Sequence, residues 1–202
     1  MLLLASFFVL QPASAQHHLL GGDAHLGGFA GPVLKLSAVD GTTAAFFGGR
    51  GGMTLATGPG QHLGIGGGMY GMMSGVEEAA PTPAGQARHL RFGYGGLELE
   101  YLLRPNDVLY LSVVTLLGAG QAGFDDDRAG SHGFGHMWGG GAAFFVAEPG
   151  VNLILNVTPF LRLGLGGSSR FAGSTPSEEL RGVDLSEWSG QLAVQLGRLR
   201  RW

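Results

Sequence analysis

The stretch EPGVNLILNVTPFLRLGL, residues 148–165, decides the fold class of this chain. Apolar and polar residues alternate before the Thr158-Pro159 turn, and the alternation resumes after it. Because successive side chains of a β-strand point to opposite faces, a period of two predicts two strands joined by a short turn. One predicted face holds Val151, Leu153, Leu155, Val157, Leu161, Leu163 and Leu165, and the opposite face holds Glu148, Asn152, Asn156, Arg162, Ser168 and Arg170.

Similar segments recur along the chain at a regular spacing. Turn signals such as Asp40-Gly41, Gly58-Pro59 and Arg104-Pro105 separate them, as do longer polar stretches. The predicted strands are Leu26–Val39, Thr43–Ala56, His62–Gly75, Leu90–Leu103, Val108–Gly123, Trp138–Val157, Phe160–Gly173 and Trp188–Trp202. The sixth segment is overlong, so its first residues are assigned to the preceding connection. The fifth is apolar at nearly every position, as in a buried helix, but its β-branched residues and preceding turn favour a strand.

The connections between these segments differ in length in a regular way. Three are long and polar, at residues 76–89, 124–137 and 174–187, and the others are short. If the first strand starts in the periplasm, every long connection lies on the extracellular side. This asymmetry is typical of outer-membrane barrels, which have short periplasmic turns and longer outer loops.

Composition excludes several classes of protein. The chain has 202 residues, 39 of them glycine, no cysteine, 13% charged residues and a net charge of −3. Glycine without a three-residue period excludes collagen, and the low charge excludes charge-driven disorder. The absence of a basic excess gives no footprint for nucleic acid, and the lack of cysteine excludes disulfide frameworks and thiol catalysis. A glycine-rich wall or fibre protein is an alternative that the regular strand lengths disfavour.

The N-terminal residues predict export. An apolar run from Leu2 to Leu10 precedes Ala13-Ser14-Ala15, which has the small-residue pattern of a signal-peptide cleavage site. Beyond residue 15 no apolar stretch approaches the ~18 residues that a membrane-spanning helix needs. The predicted organisation is therefore a signal peptide at 1–15, a periplasmic tail at 16–25 and an outer-membrane β-barrel at 26–202.

Together these features resemble the small eight-stranded bacterial outer-membrane barrels of the OmpA/OmpX type. Besides the strand and loop pattern, the resemblance depends on Trp202, which ends an alternating final segment as in the assembly signal of such barrels. It implies an all-β, antiparallel, up-and-down transmembrane barrel in outer-membrane lipid. A soluble sandwich also alternates, but a mean hydropathy of +0.20 and the signal peptide favour apolar residues facing lipid.

The resemblance leaves three function classes open. The first is a non-enzymatic barrel with a plugged polar lumen, whose three long loops engage an envelope or surface protein partner. The second is a narrow transport or small-ligand-binding barrel, and the third is an outer-leaflet lipid-modifying enzyme. No nucleic-acid partner is expected.

The predicted inner face carries charged residues from five strands. Eight strands enclose a lumen that side chains just fill, and charges there must pair because an unpaired buried ion costs several kcal/mol. A large side chain fits in so narrow a lumen only if the residue opposite it is small. Glycines within the strands are therefore interpreted as the small residues that face Arg50, Arg162, Arg170, Phe92 and Tyr94 inside the lumen. The predicted lumen ionic network comprises Lys35, Arg50, Glu98, Glu100, Glu148, Arg162 and Arg170.

Aromatic residues near strand ends predict contacts with the membrane interfaces, where tryptophan and tyrosine are enriched. These interface aromatics are Tyr101, Tyr110, Trp138, Trp188 and Trp202.

The search for catalytic and metal-ligating residues gives a negative prediction. His132 and His136 follow Asp125-Asp126-Asp127 in a glycine-rich connection, and His17, His18, Asp23 and His25 lie near the mature N-terminus. Both groups contain metal-ligating residue types but no defined ligand spacing, so they are interpreted as solvated segments. Ser131 and His132 are adjacent and would point apart in extended chain, and no serine, histidine and acid set is apparent. We therefore predict no catalytic residue, no cofactor and no metal.

Overall fold

The computed structural model describes residues 26–39, 41–73, 76–77, 88–126, 142–173 and 186–198. Both the predicted signal peptide and the predicted periplasmic tail lie outside these residues. The described part of the chain forms ten strands, β1 Leu26–Val39, β2 Thr42–Gly58, β3 Gln61–Met72, β4 Val76–Glu77, β5 Arg88–Leu103, β6 Leu109–Asp126, β7 Ala142–Asn156, β8 Leu161–Ser169, β9 Phe171–Gly173 and β10 Trp188–Arg198. No helix in this part is long and apolar enough to cross a membrane.

Eight of these strands form a closed antiparallel ring. Chain neighbours pair with one another, and the ring closes where β1 pairs with β10. The short strand β4 pairs only with β5, so β3 and β5 are neighbours in the ring. The short strand β9 continues β8 along β7, and the pairing is interrupted opposite Glu148 and Pro149, where Pro149 has no N–H for a ladder hydrogen bond. The predicted eight-stranded, antiparallel, up-and-down architecture is confirmed.

The predicted strand faces also agree with the structure. Leu153 is 42% exposed whereas the adjacent Asn152 is 4% exposed, and the same alternation follows β1, β5, β8 and β10. The outer surface is a belt of exposed leucine, isoleucine, valine, methionine and phenylalanine. The strand sequences therefore place their apolar side chains outside the ring and most of their polar ones inside.

Buried side chains of the described residues lie in the lumen in three layers. At the end of the ring that carries the long connections, phenylalanine and tyrosine side chains form an aromatic layer. Charged and amide side chains form an ionic layer in the middle. Leu102, Tyr110 and Ile154 pack together near the end that carries the short turns at residues 59–60, 104–108 and 157–160.

Glycine permits this filling where large side chains meet. A β-carbon at Gly120 would lie 2.7 Å from the Tyr94 β-carbon and against the ring of Phe144. Only a residue without a side chain fits that position of β6, since interiors tolerate little overpacking.

Candidate functional site in the lumen

Arg50 is the centre of the ionic layer. Its Nε donates to Glu98 Oε2 at 2.7 Å, and its Nη2 donates to Glu100 Oε2 at 3.0 Å. The Tyr70 hydroxyl donates to the other Glu98 oxygen at 2.8 Å. All of these side chains are buried, and charge-assisted hydrogen bonds offset part of the cost of removing the charges from water.

These contacts span an intervening strand. Arg50 belongs to β2 and both glutamates to β5, with β3 between them. At this level β3 contributes Gly64, Gly66 and Gly68 to the inner face. A β-carbon at Gly68 would meet the Glu98 carboxylate, so the arginine reaches the glutamates because β3 has no side chains there. Gly64 and Gly68 of β3 thus lie against the carboxylates that bind Arg50, whereas the sequence-based prediction made them partners of the arginine itself.

A second ion pair joins Lys35 on β1 and Glu148 on β7. Lys35 Nζ lies 2.8 Å from Glu148 Oε1, and the Ser168 hydroxyl donates to the same oxygen at 2.5 Å. Lys35 also donates to the Tyr94 hydroxyl at 3.3 Å and lies 3.6 Å from the centre of the Tyr70 ring. The two ion pairs are therefore linked through aromatic side chains that contact Lys35.

Polar residues without charge complete the layer. Gln191 donates to the Asn152 side-chain oxygen at 2.5 Å, and Asn152 donates to the Ser112 hydroxyl at 3.4 Å. A cavity of about 10 Å³ is bordered by both ion pairs, about enough for one water molecule.

The aromatic layer packs directly above the ion pairs, on the side of the long connections. Phe92 lies between Phe46 and Phe144, with ring centres at 5.4 and 5.2 Å. The guanidinium of Arg170 stacks over Phe92 at 4.7 Å and over Phe46 at 5.3 Å. Cation–π contacts of this kind stabilise a desolvated arginine by about 2 kcal/mol.

Two of the predicted network residues bind backbone or hydroxyl groups in this structure. Arg170 donates to the Ser37 hydroxyl at 3.3 Å and to the Ala38 carbonyl at 3.4 Å. Arg162, at the end with the short turns, donates to the Gly197 carbonyl at 3.3 Å. All seven predicted charges are buried, and among the described residues Lys35 pairs with Glu148 and Arg50 pairs with Glu98 and Glu100.

The predicted interface aromatics have different locations. Trp188 is 76% exposed at the start of β10, and Tyr101 is half-buried on the outer face. Tyr110 does not belong to this group, because it is 3% exposed and packs inside the lumen with Leu102 and Ile154. The reason is strand parity, since the flanking Leu109 and Leu111 occupy the outer face. Trp138 and Trp202 lie outside the described residues.

Sequence reasoning missed several residues that the structure brings to these surfaces. Tyr70 and Phe144 join the lumen, and the exposed phenylalanines Phe145, Phe160 and Phe171 lie on the outer face near strand ends. Strand parity would have found Tyr70, Phe144, Phe145 and Phe171, because each follows the alternation of its own strand, whereas Phe160 lies in the turn before β8.

The predicted solvated segments are outside the described part of the chain. His132, His136 and the N-terminal histidines lie outside the described residues. Asp125 and Asp126 are described only by their backbone, at the end of β6. Within the described residues, no group of three histidine or acidic side chains is arranged to hold a metal ion.

Comparisons with known proteins support the fold. No protein-family model matches the sequence, and no curated protein sequence matches it. The structure is similar to neisserial surface protein A (NspA), with a TM-score of 0.51, 13% identity and coverage of 87% of this chain and 97% of that one. It is also similar to Ail, the attachment invasion locus protein of Yersinia pestis, in complex with the heparin analogue sucrose octasulfate. That match has a TM-score of 0.50, 14% identity and coverage of 87% of this chain and 98% of that one.

A third similar structure is the N-terminal β-barrel domain of Pseudomonas aeruginosa OprF, with a TM-score of 0.45, 14% identity and coverage of 86% and 97% of the two chains. The matches to NspA and Ail show that the chain has the fold of small eight-stranded outer-membrane barrels. This fold indicates that the protein is located in the bacterial outer membrane. The exposed apolar belt agrees with that location, because it would face lipid.

Proposed function

We propose that the protein is a non-enzymatic outer-membrane barrel whose lumen is closed and whose long connections bind a surface partner. The observation that carries this proposal is the filled lumen. Aromatic, ionic and apolar layers occupy it in succession, and the cavity between the ion pairs has a volume of only about 10 Å³. A hydrated ion needs a continuous aqueous path, which these layers interrupt.

The apolar belt supports a membrane position. Exposed leucines such as Leu97, Leu153 and Leu165 would each be unfavourable in water and are favourable in hydrocarbon. The ring has no free edge, and each of its eight strands pairs with a neighbour on both sides, which satisfies backbone polar groups in lipid.

The charge of the long connections indicates the chemistry of the partner. Residues 76–89, 124–137 and 174–187 together contain nine carboxylates and three arginines, a net charge of −6 with histidine neutral. The rest of the chain contains nine basic and six acidic residues, a net charge of +3. An acidic surface favours a partner with a basic face, by charge complementarity. The heparin analogue in the Ail complex is a polyanion, and a ligand of that kind would be repelled by these connections.

Planar-bilayer recording tests whether the lumen is closed. The purified, folded barrel should give no steady ion conductance, because the layers leave no aqueous path. The matched control is a variant with the aromatic layer thinned, Phe46→Ala with Phe92→Ala, recorded at the same protein density. Steady conductance of the unmodified protein would favour the transport alternative over the closed barrel.

Partner capture tests the role of the connections. Barrel purified from solubilised outer membranes should retain a protein with a basic surface, and this binding should weaken with salt because of charge screening. A variant with Glu178→Gln, Glu179→Gln and Asp184→Asn should lose most of the binding, while Asn106→Gln in a short turn should not. A lipid A profile that changes when the gene is removed would instead favour the lipid-modifying enzyme.

A further inference from the structure

An unusual group of polar side chains surrounds Gly64, toward the end of the lumen that carries the short turns. Gly64 on β3 lies opposite Thr54 on β2 and opposite Glu100 on β5. His62 follows on the same inner face of β3. Thr54, His62 and Glu100 are 1%, 2% and 4% exposed.

These side chains have atoms without hydrogen-bond partners among the described residues. They are the Thr54 hydroxyl oxygen, both ring nitrogens of His62 and Glu100 Oε1. The other carboxylate oxygen, Glu100 Oε2, accepts from Arg50. Buried polar groups are nearly always paired, so several unpaired atoms at one level of the lumen require an explanation.

Register places these atoms around one space. Glycine at position 64 leaves the inner face of β3 open between His62 and the glutamate, and its β-carbon position lies 3.2 Å from the Glu100 β-carbon. The threonine borders the same space from the other side. His62 lies opposite Leu102 on β5, so Glu100, the next inward residue of β5, is the carboxylate closest to His62 in strand register.

We propose that His62 and Glu100 form an acid-sensitive latch of the ionic layer. A neutral imidazole tolerates this site, whereas an imidazolium needs a carboxylate because its charge is removed from water. On protonation, His62 donates to Glu100 and competes with Arg50 for that carboxylate. Arg50 then keeps Glu98, and the end of the ionic layer near the short turns loosens.

The other ionisable side chains that project into this half of the lumen support the same pairing. Glu98 on β5 is engaged by Arg50 and Tyr70, while Arg50 on β2 and Arg162 on β8 are cations that repel an imidazolium. Tyr110 on β6 is a neutral phenol near neutral pH. On β1, β7 and β10, the described inward residues at this level are Phe29, Ile154 and Gln195, which do not ionise. Glu100 is therefore the carboxylate left for the histidine.

The test is urea unfolding of the whole barrel in phospholipid vesicles at about pH 7.5 and at about pH 5.5, on either side of the usual histidine titration. The unmodified protein should lose about tenfold in its folding equilibrium constant on acidification, since charging His62 disrupts the Arg50–Glu100 contact. His62→Gln should remove this loss. His132→Gln, which changes a histidine in a predicted connection, should retain it.

Glu100→Gln distinguishes the latch from a merely buried histidine. Without the carboxylate the imidazolium has no anionic acceptor, so the acid-induced loss should exceed that of the unmodified protein. An equal loss in Glu100→Gln and the unmodified protein would overturn the latch, and so would a full acid response in His62→Gln. If His62→Gln does not fold, the comparison with Glu100→Gln still decides. The latch depends only on contacts around Gly64, so conductance of the barrel would refute the closed lumen and leave the latch standing.

Discussion

At the scale of single residues, Arg50 shows how glycine and charge act together. The arginine binds Glu98 and Glu100 across a strand that has no inward side chain at that level. Because the charges are buried, each is stabilised by its oppositely charged partner. Removing one partner leaves the other ion buried without a counter-charge. Strand-interior glycines, which weaken an isolated strand, are here the condition for the ion pairs.

The first prediction concerns this compensation. Glu98→Gln combined with Glu100→Gln should destabilise the barrel by about 3 to 5 kcal/mol, because the Arg50 cation stays buried without a carboxylate. Adding Arg50→Met should restore part of this loss, because no uncompensated charge then remains in the contact. Urea unfolding in lipid vesicles measures both variants and the single substitutions as a mutant cycle. Purely additive effects would mean that the arginine and the glutamates do not act as a unit.

The second prediction concerns glycine at the aromatic layer. Gly120→Ala should destabilise the barrel by about 1 to 3 kcal/mol, because the added carbon meets Phe144 and the Tyr94 β-carbon at 2.7 Å. Gly190→Ala is the matched control, since nothing lies within 4 Å of a β-carbon there and the residue is on the outer face. Equal thermal stability of the two variants in detergent would show that the lumen at Gly120 is not tightly packed.

At the scale of the element, neighbouring residues of one strand face different environments, the lipid on one side and the lumen on the other. Leu153 points outward and Asn152 points into the polar layer, where it accepts from Gln191 at 2.5 Å. A strand of this kind is specified in register, because a shift of one residue would exchange every side chain between lipid and lumen.

The third prediction tests this separation. Leu153→Arg should destabilise the inserted barrel by about 2 to 4 kcal/mol if the residue lies at the bilayer midplane, since the cation is then moved into hydrocarbon. Leu153→Ile is the conservative control and should have little effect. Asn152→Arg should be limited by lumen crowding and by loss of the Gln191 contact, so its cost should not depend on bilayer thickness. Equal tolerance of Leu153→Arg and Leu153→Ile, by urea unfolding in lipid, would refute the outward assignment.

At the scale of the whole molecule, closure of the ring fixes which connections share an end. Neighbouring strands are antiparallel throughout, so the connections alternate between the two ends. The long connections after β3, β6 and β9 therefore lie at one end, together with the short turn after β1. The turns after β2, β5 and β7 lie at the other.

The fourth prediction concerns the orientation of these ends. Protease sites inserted near Pro83, Gly130 and Pro176 should be cleaved on intact cells, because these long connections are proposed to be extracellular. Insertions at Pro59, Pro105 and Pro159 are the controls and should be protected until the outer membrane is broken. Reversed accessibility would invert the orientation, and cleavage at every site would indicate a secreted soluble protein.

Much of the element-scale structure follows from local sequence. The first strand has the predicted bounds, and the others agree within a few residues, while residues 138–141 of the sixth segment and 199–202 of the last lie outside the described residues. The turn at Gly41 lies between β1 and β2, and the turn at Pro59-Gly60 lies between β2 and β3. Tyr110 is the exception. Its place near a strand end predicts a contact with the membrane interface, but the outward Leu109 and Leu111 on either side require Tyr110 to point into the lumen.

The sequence by itself determined the number of strands, their faces and the class of residue inside the ring, because period and turn chemistry act over a few neighbouring residues. Only the tertiary structure decided the partners within the lumen. Arg50 meets carboxylates 48 and 50 residues away, and Lys35 meets one 113 residues away. Such contacts depend on strand register and on closure of the ring between β1 and β10. Alternation assigns a charge to the inside, but only the closed geometry determines which opposite charge lies within hydrogen-bond distance.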